Sequence, residues 1–123
     1  MRTRIPKERM MKMIKQTGRF ECGFSKGVLV IKISGEIDHH GAVIMRGDID
    51  ARIYEHRPER LIIDLSSVDF MDSSGLGLIM GRYSVMAKLG GETVLLNPCS
   101  SIEKILALAG MDRIIRIEKT RRL

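Results

Sequence analysis

The strongest constraint on this chain is an alternation. Four short runs of β-branched and aliphatic residues, at Val28–Ser34, Leu61–Leu65, Thr93–Leu96 and Ile114–Ile117, are separated by stretches with apolar residues at helical spacing. From Gly41 to Tyr54 those residues are Val43, Ile44, Ile49 and Ile53; from Ser74 to Leu89 they are Leu78, Ile79, Met86 and Leu89; a third helix runs from Ser101 to Ala109. Arg57-Pro58-Glu59, Gly90-Gly91 and Gly110 stop the three helices, and Ser100 or Ser101 is a candidate N-cap for the third. A short strand at Phe20–Phe24, followed by the turn Ser25-Lys26-Gly27, opens the body as a hairpin. The expected order is therefore β-β-α-β-α-β-α-β. Strands joined through helices need crossover connections, so the fold class is α/β, with a mixed, mostly parallel sheet and helices packed on it. In such sheets function collects beyond the C-terminal ends of the strands. Two loops qualify, Gly35–His40 and Ser66–Ser74.

Charge divides the chain differently. The formal net charge is +6, and residues 1–19 account for all of it, with seven basic side chains against the single acid Glu8. Residues 20–123 carry 14 basic and 14 acidic side chains. The expected organisation is a basic leader over 1–19, one domain over 20–118 and a polar end over 119–123. A leader of this kind suits RNA or anionic lipid. Two plainer readings are preferred: a solvated terminus, and a native translation start at Met10, Met11 or Met13. The neutral body and its few aromatic residues argue against direct binding of nucleic acid. No apolar run approaches the roughly 20 residues of a membrane span, and no secretory h-region is present. Cys22 and Cys99 lie far apart, which fits a reduced cytoplasmic protein without a zinc site.

The stretch Asp69-Phe70-Met71-Asp72-Ser73-Ser74-Gly75-Leu76-Gly77 joins a strand to a helix and carries what chemistry the chain offers. Unpaired N–H groups and the helix dipole favour an anion there. A serine oxygen acting as N-cap is the commonest reason for serine at such a place. A nucleotide site is weakly indicated, because Met80 stands where a further glycine is needed and no Gly-Lys-Ser/Thr loop exists. A serine nucleophile lacks the G-x-S-x-G elbow, and His39, His40 and His56 read as solvated. A phosphorylation switch is the fourth reading: phosphate brings a charge of about −1.5 to −2, which the helix terminus tolerates and Asp69 and Asp72 oppose. Spacing alone does not rank this above the cap.

Ser34-Gly35-Glu36-Ile37-Asp38-His39-His40, the strand Leu61–Leu65, Phe70 to Gly77 and Gly81-Arg82-Tyr83 together resemble the STAS domain of bacterial anti-sigma factor antagonists, in its sporulation, sigma F branch. The likeness runs from about Phe20 to Ile117. It implies a protein whose unphosphorylated form binds an anti-sigma factor that is also a serine kinase, with ADP or ATP bound to that kinase, and so releases the sigma factor. It implies Ser73 as phosphate acceptor and a PP2C-type serine phosphatase that restores the free hydroxyl. It further implies that Asp38, Asp72, Ser74, Gly75, Leu76, Gly81 and Arg82 form the docking surface. A monomer with no catalytic residues, metal or cofactor of its own is expected. The leader is longer than the family usually shows, and the family's final helix is expected to be shortened or absent. The alternatives are a STAS module of a general-stress pathway or stressosome-like scaffold, and, lower, a nucleotide-binding protein.

Overall fold

The computed structural model describes residues 20–120. The leader over 1–19 and the last residues of the polar end, 121–123, lie outside the described residues. The elements run in chain order: β1 Phe20–Ser25, β2 Val28–Ile37, α1 His39–His56, β3 Arg60–Met71, α2 Ser73–Lys88, β4 Glu92–Leu96, α3 Ser100–Leu108, a 3-10 turn Met111–Arg113, and β5 Arg116–Glu118. The five strands lie side by side in sequence order. β1 pairs antiparallel with β2, and the other neighbours are parallel. The mixed, mostly parallel sheet and the order of elements are as expected from the sequence.

Each crossover advances one strand in the same direction. Right-handed connections therefore put all three helices on one face of the sheet. Leu29 and Ile31 of β2, Leu61 and Ile63 of β3 and Leu95 of β4 are in register on that face and are buried. They form one cluster with Met45, Ile49 and Ile53 of α1, Leu78, Ile79 and Met86 of α2, and Ile102 and Leu106 of α3. On the opposite face, Arg60, Glu92 and Arg116 form an exposed ladder of ion pairs at 3.1 and 3.3 Å.

Two expected loops are mostly strand. β2 continues through Ile37 and α1 begins at His39, so only Asp38 of the expected loop Gly35–His40 lies outside regular structure. β3 continues to Met71, which turns most of the expected loop Ser66–Ser74 into sheet. The cause is a pair of irregularities in the β2–β3 register, between Lys32 and Ser34 and between Gly35 and Glu36. At each, β3 spends one more residue than β2. The inward residues of β3 accordingly change spacing, from Leu61, Ile63 and Leu65 to Val68 and then Met71. Two smaller differences occur at the end of the chain. Cys99, not Ser100 or Ser101, occupies the N-cap of α3 and makes no side-chain cap bond. The last strand is displaced from Ile114–Ile117 to Arg116–Glu118, because the 3-10 turn after Gly110 takes up Met111–Arg113.

Candidate functional site at the paired helix N-termini

The parallel register brings Ile37 of β2 opposite Met71 of β3. The residue after each strand is an aspartate, and each aspartate caps the helix that follows. Asp38 Oδ1 accepts from Gly41 N at 2.8 Å, and Asp72 Oδ1 accepts from Ser74 N at 2.8 Å. A cap at this position satisfies one of the donors that a helix start leaves open. The cap of α2 is therefore Asp72, not a serine oxygen as spacing alone suggested. Relieved of that task, Ser73 is the first residue of α2, and its exposed hydroxyl has no hydrogen-bond partner among the described residues.

The two helices begin side by side and touch. Ser74 Oγ lies 3.4 Å from His39 Nδ1, which links the first turn of α2 to that of α1. Glu36, Asp38, Asp69 and Asp72, at the ends of β2 and β3 and in the caps that follow, are all exposed, so the rim at these strand ends is acidic. Phe70, pushed outward by the second β3 irregularity, is half-exposed beside it. No helix of the described residues is long and apolar enough to cross a membrane.

The remaining residues singled out in the sequence divide into outward and inward groups. Asp38, Asp72 and Ser73 face solvent, and Ser74, Leu76 and Gly81 are half-buried. Gly75 faces inward. A Cβ there would lie 2.7 Å from Met71 Cβ and 3.3 Å from Ile37 Cγ2. Its role in the fold is to let α2 settle onto the ends of β2 and β3, which fixes where Ser73 stands. Arg82 also differs from its expected place on a docking surface. It is 4% exposed, and its Nε lies 2.7 Å from Asp50 Oδ1 of α1. The alignment of that ion pair falls short of a hydrogen bond. A further bond runs from Nη1 to Leu78 O at 3.2 Å. Burial lowers the Arg82 pKa, and the Asp50 charge opposes that shift. Arg82 thus ties α2 to α1 from inside. The sequence reading passed over Asp50 and Arg46, which face α2 from α1. Their only sequence signal is their spacing from Ile49 and Ile53.

The fold and this junction define a class. The STAS domain profile matches residues 19–122, and the chain belongs to the STAS domain family. Within it, the anti-sigma F factor antagonist of Paenibacillus polymyxa is 34% identical over 99 residues, covering 80% of this chain and 85% of the relative. Among solved structures, the anti-sigma factor antagonist SpoIIAA in its unphosphorylated form is similar with a TM-score of 0.67 at 28% identity, covering 83% of this chain and 89% of that one. The Bacillus cell fate determinant SpoIIAA in its phosphorylated form is similar with a TM-score of 0.68 at 29% identity, covering 84% and 92%.

Proposed function

We propose that this protein is an anti-sigma factor antagonist of the sigma F type, switched by phosphorylation of Ser73. The unphosphorylated chain binds an anti-sigma factor that is also a serine kinase, holding ADP or ATP, and frees the sigma factor in the cytoplasm. The kinase transfers phosphate to Ser73 and a PP2C-type phosphatase removes it, so the chain is a substrate rather than a catalyst. The observation that carries this reading is the exposed Ser73 hydroxyl, unbonded among the described residues, at the first position of α2. A kinase can reach it, and nothing in the fold has to break to release it.

Asp38, Asp69 and Asp72 already make the surroundings negative. Phosphate adds a charge of about −1.5 to −2 there. Buried in a contact without a matching cation, that charge costs several kcal/mol. The test uses the purified anti-sigma factor encoded by the same bacterium, with ATP, followed by mass-spectrometric mapping and calorimetry. Phosphate is expected on Ser73 alone. Ser73→Ala is expected to bind and resist modification, and Ser73→Asp to bind at least tenfold more weakly. Phosphate at another residue, or equal affinity of Ser73→Asp and wild type, refutes the switch.

A further inference from the structure

The three helices pack on one face of the sheet, and no described helix lies on the other. Mostly parallel sheets are normally covered on both faces. The open face is not uniformly polar. Val30 of β2, Ile62 of β3 and Val94 of β4 are register partners and form an apolar row across three strands. Gly23 of β1, opposite Val30, extends the row without a side chain to fill it. Val30 and Ile62 are half-buried. Val94 is 1% exposed, as dry as the core, yet it lies outside the cluster packed under the helices.

Charge on this face is uneven. Arg60 and Arg116 share Glu92. Beside the apolar row, the outward acids Glu21, Glu36 and Asp64 then face one cation, Lys32. The chain enters at this place. Phe20 pairs with Ile33, so the residues before it leave the sheet at a level between Lys32 and Glu36. Residues 10–19 carry Met10, Met11, Met13 and Ile14, the basic side chains Lys12, Lys15 and Arg19, and no acid. They remain in the chain when translation starts at Met10. From β1 to β4 is three strand spacings, about 14 Å. Ten extended residues span up to about 33 Å, so the segment reaches Val94 with length to spare.

We infer that residues 10–19 fold back as a strap over the open face of the sheet. The methionines and Ile14 lie on the row Val30, Ile62 and Val94, and the lysines lie toward Glu36 and Asp64. Two features select this segment over a second copy of the chain. It is tethered at the edge of the face, and a short tether holds its cargo at an effective concentration on the order of millimolar. Its charge is also opposite to that of the face, whereas a second copy brings the same acids against it. The strap does not depend on the switch at Ser73.

Thermal unfolding and carbodiimide cross-linking of the full chain test it. Met13→Ser with Ile14→Ser is expected to melt roughly 4 °C or more below wild type, because two apolar side chains lose their seat. In a segment surrounded by water the same change leaves the melting temperature where it was. Lys12→Gln with Lys15→Gln is expected to melt below wild type at low salt and level with it at high salt. Carbodiimide is expected to join Lys12 or Lys15 to Asp64 within one chain, read by peptide mass spectrometry on mixed light- and heavy-isotope protein. An unchanged melting temperature for Met13→Ser with Ile14→Ser overturns the strap. Cross-links found only between light and heavy chains, with a dimer in light scattering, also overturn it and assign the face to a second copy.

Discussion

Gly75 and Gly77 stand two residues apart in α2, and alanine at each is expected to shift stability in opposite directions. At Gly75 the new methyl carbon would lie 2.7 Å from Met71 Cβ and 3.2 Å from Met71 Sδ. Carbon atoms rest at about 3.5–4.0 Å, so the overlap with Met71 Cβ is roughly 1 Å. Met71 and Ile37 are 1% and 0% exposed and belong to paired strands, which leaves them no room to retreat. Overpacking of this kind costs about 1–3 kcal/mol. The gain in helix propensity returns about 0.5–1 kcal/mol. Because Met71 and Ile37 cannot retreat, the overpacking cost falls in the upper part of its range, and the net loss is about 1–2.5 kcal/mol, a fall in melting temperature of roughly 4–12 °C for a domain of this size. Gly77→Ala receives the same propensity gain with nothing to clash against. Urea unfolding of both variants beside wild type, with the denaturant slope held common, reads the two shifts directly. A Gly75→Ala variant as stable as wild type would refute the reasoning, since it would mean that α2 can lift off the ends of β2 and β3 at no cost.

Arg82→Met alone is expected to destabilise by about 1–3 kcal/mol, less than for a fully buried pair because the Asp50 side chain keeps 27% of its exposure. Asp50→Leu with Arg82→Met should recover to within about 1 kcal/mol of wild type, which a double-mutant cycle in urea measures. Asp72→Ala removes the cap on Ser74 N and should cost about 1 kcal/mol, with Asp72→Asn nearly neutral, read by the same unfolding assay. Cys99 is exposed, and hydrogen bonds from the Ser101 hydroxyl and the Ile102 backbone lower its pKa. The thiolate of Cys99 therefore forms at lower pH than that of an ordinary thiol, and iodoacetamide should label it first as pH rises, while Cys22, 4% exposed, stays protected until unfolding. Ser101→Ala should move the onset of labelling to higher pH, followed by peptide mass spectrometry.

The alternation of strands and helices was legible because each element follows a simple period, two for β2 and about 3.6 for the helices. β3 was only half legible. Leu61, Ile63 and Leu65 keep the strand period, but the two extra residues then move the inward positions to Val68 and Met71. A three-residue spacing with Ser66, Ser67 and Asp69 between reads as a polar loop. Arg82 was misplaced for a different reason. A cation on a helix is usually exposed, and its partner Asp50 belongs to another element, so no local pattern pairs them. A signal did exist: Leu78, Arg82 and Met86 recur every four residues, which puts Arg82 on the buried stripe of α2. Ser73 was legible as a helix start, and the cap it was expected to supply falls instead to Asp72. The groove between α1 and α2, lined by His39, Val43, Arg46, Ser74, Gly77 and Leu78 among others, had no sequence signature, because its walls come from two helices brought together by the sheet.

Under the proposed function, the two aspartate caps would account for a switch at this junction. A helix N-terminus tolerates an added anion through its dipole, by about 0.3–1 kcal/mol at an exposed site. Asp72 sits one residue from Ser73 and opposes the same anion over a short distance. Within the free chain these effects are of similar size and opposite sign, so a phosphate on Ser73 leaves the fold nearly indifferent. At a protein contact the balance changes. Water that screened the acidic rim is excluded, the carboxylates of Asp38, Asp69 and Asp72 no longer have bulk solvent around them, and added negative charge meets a lower dielectric. The same modification is then mild for the domain and costly for its complex. Under the proposed switch that separation would let the domain pass through repeated cycles of modification, and it follows from aspartates serving as caps while the serine stays uncommitted.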